Sequence, residues 1–244
     1  MDLPISNGTL GVLGGMGPMA SAAFIQTIYG MYRGEREQGS PKVLLNSNPQ
    51  VQDRTAAFLS DLDQGLLLSD IESGLRSLVD QGAEWLVVCC ITAHHLFPRL
   101  SRELREKTVS LIDLIFAELQ TTRGKCLLAC TNGSREMRLF EGHSLWPSAG
   151  RNICLPDHHD QKRLHDAIYR LKQSHDVGDL QELLVSLADR YCADNVIAGC
   201  TELHMLSSTC VGFNRLNTRI RIIDPLVTVA IKQREVLHAA SVCA

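Results

Sequence analysis

Glu84-Trp85-Leu86-Val87-Val88-Cys89-Cys90-Ile91-Thr92-Ala93-His94 and Asp194-Asn195-Val196-Ile197-Ala198-Gly199-Cys200-Thr201-Glu202-Leu203-His204 repeat one pattern within a single chain of 244 residues. In each, a short apolar, partly β-branched run ends in cysteine, a threonine follows closely, and a histidine lies four residues beyond Cys90 or Cys200. Short runs of this kind, bounded by polar residues, read as buried strands. Working outward, a second echo pairs Val109-Ser110-Leu111-Ile112-Asp113-Leu114 with Ile220-Arg221-Ile222-Ile223-Asp224-Pro225-Leu226. A third, looser echo pairs the run 10–13, opening into Gly14-Gly15-Met16-Gly17, with the run 125–129, opening into Cys130-Thr131-Asn132-Gly133-Ser134. All three keep one order, and the first two share a displacement of about 110 residues, so the chain reads as two homologous α/β halves. Two thiols at matching strand ends can face one another across a cleft. Such a pair can take a proton from one side of a carbon and return one to the other.

Composition narrows the function classes. Hydrophobic residues make up 45% and charged residues 21%, the balance of a soluble globular protein. A net charge of −3 with scattered lysines and arginines gives no footprint for nucleic acid or an anionic membrane. No apolar stretch reaches the roughly 20 residues a bilayer span needs. The first residues, Met1-Asp2-Leu3-Pro4-Ile5-Ser6-Asn7, lack the charged and apolar regions of an export signal, so a cytosolic protein is expected. Nine cysteines are then expected as thiols, most of them, including Cys126, Cys154, Cys192, Cys210 and Cys243, buried or incidental small apolar residues. Position at a repeated strand end separates Cys90 and Cys200 from these.

Short apolar runs alternate with amphipathic stretches, as in βα units around a parallel sheet. Strands are expected at 10–14, 42–46, 85–89, 108–112, 125–130, 151–155, 194–199 and 219–223, and helices at 19–33, 64–81 and 160–173. Pro18 suits a first helical turn, where its missing N–H has no intrahelical partner. Segment 134–151, broken by Gly142, Pro147 and Gly150, reads as an extended surface connection. With crossovers near 100–107 and 210–218, strand 219–223 and the closing helix would return to the first half. The expected domains are then 1–103 plus 214–244, and 104–213. Open α/β sheets bind ligands at the carboxyl ends of their strands, which is where Gly14 to Gly17, Cys90, Thr131 to Ser134 and Cys200 fall.

These residues resemble the aspartate/glutamate racemase family, the cofactor-independent amino-acid racemases. The matching elements run almost end to end: Gly14-Gly15-Met16-Gly17-Pro18, Asp53-Arg54-Thr55, Cys90-Ile91-Thr92-Ala93-His94, a variant turn at Cys130 to Ser134, and Gly199-Cys200-Thr201-Glu202-Leu203. The resemblance implies two pseudo-symmetric, Rossmann-like α/β domains with mainly parallel sheets and an active site in the cleft between them. It implies a homodimer, an amino-acid substrate and no pyridoxal phosphate or other cofactor. It also implies a two-base mechanism in which Cys90 and Cys200 exchange the roles of thiolate base and thiol acid.

That chemistry sets requirements. A free thiol titrates near 8.5 (approximate reference value), so a thiolate needs cations or helix N-termini nearby, and the carbanion needs donors aimed at its charge. Backbone N–H groups at Gly15, Met16 and Gly17 and around Thr131 to Ser134 are the expected carboxylate holders. Thr92 and Thr201 are expected as donors beside the thiols. Glu202 is expected to orient the substrate ammonium or relay a proton, or else to be a solvated or capping carboxylate. The resemblance places Arg54 and, by approximate context, Lys172 on a substrate side-chain carboxylate, which points to aspartate or glutamate.

Three departures stand beside the match. Ile91 replaces the asparagine of the family's Cys-Asn-Thr pattern; losing a donor to a charged group is worth roughly 1.5–3 kcal/mol, tenfold or more in activity. Cys89 leaves the identity of the first base ambiguous, although the Cys-x-Thr-Ala-His register selects Cys90. The turn 130–134 carries cysteine and serine where glycine and threonine are usual. Among competing readings, Cys90/His94 and Cys200/His204 could complete a tetrahedral zinc site. Gly15-Met16-Gly17-Pro18-Met19-Ala20 loosely fits a dinucleotide loop, but the second strand ends without the acidic residue that fingerprint needs. A racemase-like scaffold could also bind an amino acid without turning it over, or direct a carbanion to another fate.

Overall fold

A computed structural model describes residues 4–31, 37–60, 64–174, 176–209, 215–217 and 219–242. Eight strands form two four-stranded sheets, and every strand pairing in both is parallel. The first contains β1 (Leu10–Gly14), β2 (Val43–Ser47), β3 (Trp85–Val88) and β4 (Thr108–Val109) in the order β2-β1-β3-β4. The second contains β5 (Cys126–Cys130), β6 (Ile153–Cys154), β7 (Asn195–Gly199) and β8 (Arg221–Ile223) in the order β6-β5-β7-β8. Strand for strand, the second order repeats the first. The expected runs 108–112, 151–155 and 219–223 shorten to two or three paired residues each.

The helices are α1 (Pro18–Met31), α2 (Arg54–Leu59), α3 (Gln64–Asp80), α4 (Arg102–Lys107), α5 (Leu111–Leu119), α6 (Asn132–Glu136), α7 (Trp146–Ala149), α8 (His158–Ser174), α9 (Gly178–Arg190), α10 (His204–Thr209) and α11 (Pro225–Val242). Local chemistry starts several of them. Pro18 opens α1; Asp53 accepts from the Ala56 N–H at 2.8 Å to cap α2; Ser110 accepts from Asp113 N–H at 3.1 Å to cap α5. The expected helix 19–33 is described only as far as Met31. No helix among the described residues is long and apolar enough to cross a membrane.

Strand alternation divides the apolar side chains into three clusters. Leu10, Val12, Trp85, Val87, Cys126, Leu128, Ile197 and Ile223 join α1, α5 and α11 side chains in one central core shared by both sheets. Leu13, Leu86 and Val88 pack with α3 on the outer side of the first sheet, and Leu127, Val196 and Ile222 pack with α8 and α9 on the outer side of the second.

Three expectations change. Strand 219–223 does not return to the first half: β8 pairs with β7, just as β4 pairs with β3. The closing helix α11 does come back, packing against α1 and α5. The stretch 100–107 is no crossover; it holds α4, which feeds β4 into the first sheet, and α5 makes the passage to β5. Much of 210–218 lies outside the described residues. Segment 134–151 is not simply a surface connection, because it forms the end of α6 and all of α7, and it buries Phe140 in the central core.

Candidate active site

A one-residue step separates the two adjacent cysteines. Trp85, Val87 and Cys89 face the central core, whereas Leu86, Val88 and Cys90 face the other way. Cys89 is fully buried, and burial, followed by the charge of Cys90, pushes its thiol up. Cys90, two residues beyond the last residue of β3, retains 5% exposure. Ile91 turns back into the central core and is 1% exposed. The residue that replaces the family's asparagine is therefore a core side chain.

Arg54, at the start of α2, is nearly buried and spends its guanidinium on backbone carbonyls. Nη1 donates to Val51 O at 3.2 Å and Gln52 O at 2.9 Å, and Nη2 donates to Met16 O at 2.9 Å. Its Nε is buried without a hydrogen-bond partner among the described residues. Burial works against the cation, but negative charge on Cys90 and Asp53 outweighs it and raises the guanidinium further. Arg54 thus ties the Gly14 to Gly17 loop to the first thiol. That loop turns at Gly15, whose φ of +89° and contact with the Asn48 backbone exclude a side chain. The Gly15 N–H donates to Ser21 Oγ at 3.2 Å, so this donor, expected for a substrate carboxylate, is taken.

The second cysteine has opposite company. The Cys200 thiol donates to Glu202 Oε2 at 2.7 Å. Burial first, then the Glu202 charge, pushes this thiol well up, with Lys172 opposing. Lys172 Nζ lies 3.7 Å from Glu202 Oε1 and 4.4 Å from the centre of the Tyr169 ring. Burial disfavours the ammonium, yet the Glu202 charge and then that of Cys200 raise it. Tyr169 in turn donates to both carboxylate oxygens of Asp53, at 3.0 and 2.9 Å. Burial opposes the charge on Asp53, but the Ala56 N–H, the Tyr169 hydroxyl and the two cations lower it. Glu202 is 2% exposed, and a Cβ at residue 17 would sit 2.5 Å from its Oε1. The solvated reading of Glu202 falls, and the glycine at 17 is explained by the carboxylate that fills its space.

Hydroxyls knit the halves together. Thr92 Oγ1 lies 2.9 Å from Ser134 Oγ and 3.2 Å from Thr131 Oγ1, and Thr201 donates to Cys89 O at 3.2 Å. Each threonine that follows a candidate cysteine therefore bonds to the opposite half. The N–H groups of Asn132 and Ser134, expected to hold a carboxylate, are spent on His165 Nδ1 and the Thr131 hydroxyl. Both histidines of the zinc reading are committed elsewhere: His94 bonds Cys90 O and the Leu111 N–H, and His204 bonds Asp224 and Thr27.

Met16, Gly17, Arg54, Cys90, Lys172, Cys200 and Glu202 thus meet around one loop, with the Thr92, Thr131, Ser134 and Thr201 hydroxyls spanning the two halves beside them. All of them are buried except Lys172, which is partly exposed, so charge–charge effects here are strong. A groove of about 660 Å³ opens instead behind His94, lined by Phe97, Ser110, Asp113 and His143, and includes neither cysteine. Sequence reading missed Tyr169 and Asp53 as a pair. The signal was available in part, since Tyr169 precedes Lys172 by three residues and shares its helix face.

The Asp/Glu/hydantoin racemase family model matches residues 13–232. The broad specificity amino-acid racemase RacX of Bacillus subtilis is 21% identical over 223 residues, covering 88% of this chain and 92% of that protein. The Picrophilus torridus aspartate racemase shares the fold with a TM-score of 0.76 at 22% identity, covering 93% of this chain and 94% of its own. An aspartate racemase homologue from Pyrococcus horikoshii does so with a TM-score of 0.68 at 19% identity, covering 94% and 99%. Duplicated sheets, paired strand-end cysteines and a family match across nine-tenths of the sequence agree, and the chain belongs to the Asp/Glu/hydantoin racemase family as an amino-acid racemase, an isomerase.

Proposed function

We propose that the protein racemises an acidic amino acid, aspartate or glutamate, without a cofactor, using Cys90 and Cys200 as its two bases. One observation carries this reading: both thiols abut the same loop, Cys90 through Arg54 on Met16 O and Cys200 through Glu202 against Gly17. The thiolate of one takes the Cα proton, forming S–H as the C–H bond breaks and leaving the electron pair on Cα and its carboxylate. The opposing thiol gives its proton to the other face and becomes the thiolate. Roles reverse with the enantiomer. Arg54 supports an anion beside Cys90, the clustered Thr92, Thr131 and Ser134 hydroxyls supply donors for the developing charge, and Lys172 and Arg54 favour an acidic side chain. The chain divides between its two sheets, and a cytosolic homodimer completes the reading; light scattering tests the dimer.

A second reading, a different side-chain preference, is favoured by one feature. Arg54 is largely spent on carbonyls and Lys172 is paired with Glu202, so neither cation is left wholly for a substrate. Proton NMR in D₂O with L- and D-aspartate, L- and D-glutamate, and alanine and lysine as neutral and basic controls separates the two. Cα deuteration with inversion of aspartate or glutamate, lost by roughly a thousandfold in Cys90→Ser and Cys200→Ser, is expected. Exchange confined to the controls selects the second reading. Activity surviving in either serine variant removes the two-base mechanism.

A further inference from the structure

The two thiols do not stand in equivalent surroundings, and the difference has a consequence for the order of events. On the first side a guanidinium lies beside Cys90. On the second a carboxylate oxygen lies 2.7 Å from the Cys200 sulfur, close enough that a proton must lie between two atoms that would otherwise both be anionic. We propose that Glu202 is a positioning residue that fixes which thiol carries the proton before substrate arrives: its Oε2 holds Cys200 as the thiol, with Lys172 as its counter-ion, and leaves Cys90 to act first as base. This rests on the two-base reading above and assigns a resting state to it.

The rest of the carboxylate supports the assignment. Glu202 Oε1 is buried and has no hydrogen-bond partner among the described residues, with the Lys172 ammonium at 3.7 Å and the bare Cα of Gly17 beside it. An unsatisfied buried carboxylate oxygen is costly, so a donor supplied by the ligand is favoured there. A substrate α-ammonium on Oε1 would draw charge from Glu202 and loosen its hold on the Cys200 proton. The acid would then be released only when substrate is in place. Other charged or titratable groups near Cys200 and Glu202 are Tyr169 on α8, Asp53 and Arg54 at α2, Cys89 and Cys90 after β3, and His204 with Asp224 behind. Asp53 is held by Tyr169 and Asp224 by His204, which leaves Glu202 as the anion bonded to the Cys200 sulfur.

Kinetics carry a signature of such a resting state. A racemase has an equilibrium constant of one, so kcat/KM is the same in both directions. Asymmetry must appear as a split, in which the enantiomer presenting its Cα–H to Cys90 has the lower KM and, in proportion, the lower kcat.

The direct test is iodoacetamide labelling of the free protein across pH, read at each cysteine by peptide mass spectrometry, in wild type, Glu202→Gln and Lys172→Met. No substrate is present, so the outcome is independent of whether the racemase reading or its substrate is right. Cys90 is expected to label first near neutral pH. Glu202→Gln is expected to lower the pH midpoint of Cys200 labelling by about one unit or more, which is about tenfold faster labelling at neutral pH. Lys172→Met is expected to raise that midpoint, and Cys90 labelling should change less than about twofold in Glu202→Gln. In active protein, Glu202→Gln should also bring the KM values of the two enantiomers together. A Cys200 midpoint unmoved by Glu202→Gln overturns the proposal. So do midpoints moving the same way in both variants, the mark of general loosening.

Discussion

The turn after Cys90 and the turn after Cys200 occupy equivalent places at the ends of β3 and β7, yet almost every charged contact around them differs. Cys90 has Arg54 for a neighbour and Cys200 has Glu202. His94 shares its Nδ1 with the Cys90 carbonyl at 2.9 Å and accepts the Leu111 N–H at 3.0 Å, which fixes a neutral ring stacked 3.9 Å from Phe97. His204 instead meets Asp224 at 2.7 Å and the Thr27 hydroxyl at 2.9 Å. The aspartates that echo one another in sequence diverge too: Asp113 is partly exposed against His143, while Asp224 is buried against His204. Duplication preserved the strand ends that bring two thiols to one loop and let the electrostatics drift apart. The two-base reaction proposed above, which needs one thiolate and one thiol, would benefit from that drift.

The comparison can be broken most readily at the aspartates. Asp224→Asn should cost about 3–5 kcal/mol of stability, because it leaves a buried imidazole without its partner. Asp113→Asn, at the echoing position, should cost about 1 kcal/mol or less. Urea unfolding of the two variants checks this, and equal losses would mean that the halves are held alike.

Next come the cations. Arg54→Leu leaves three backbone carbonyls without their donor and should cost about 3 kcal/mol as well as activity. Lys172→Met removes the 3.7 Å pairing with buried Glu202 and the contact over the Tyr169 ring, and should cost about 2 kcal/mol, less than the Arg54 variant, while still lowering turnover. Thermal melts beside racemisation rates sharpen the contrast; a Lys172 variant as unstable as the Arg54 one would remove it.

The histidines separate by pH. Burial lowers His94 to about 4, against the opposing pull of the Cys90 carbonyl at Nδ1. Its folded pKa thus lies below the unfolded value near 6.5, so the unfolded chain binds more protons in between. Stability from this group is full above pH 6.5 and is lost as pH falls toward 4, by about 2 kcal/mol between pH 7 and 4.5. Asp224, held below its ordinary value by His204 against the effect of burial, loses its contribution only as pH falls through the ordinary aspartate range and lower. Unfolding free energies of His94→Gln should therefore show a shallower decline between pH 6.5 and 4.5 than wild type. An unchanged slope would assign the acid sensitivity elsewhere.

The smallest effect concerns Ile91. Packed in the central core, Ile91→Val should cost about 1 kcal/mol of stability and leave kcat within about twofold. A tenfold loss of turnover at wild-type stability would put this side chain at the substrate after all.

Much of this was written locally. Eight apolar runs became eight strands, because a buried parallel strand must be apolar on both faces and bounded by turn residues. The Cys and Thr of the two repeated stretches and the Gly-Gly-Met-Gly element marked the loop ends where parallel sheets gather ligands, and the paired thiols suggested the two-base chemistry proposed above. Tertiary structure decided what depends on neighbours far along the chain. β8 lies beside β7 because the second sheet repeats the order of the first, a relation no single strand records. Cys89 and Cys90 are chemically identical in the sequence; the pleat buries one in the central core and leaves the other at the strand end. Ile91 read as a lost donor until packing showed which way it points. Arg54 and Glu202 became the unlike partners of two like thiols only when residues from both halves closed on one loop, because charge acts through space and not along the sequence.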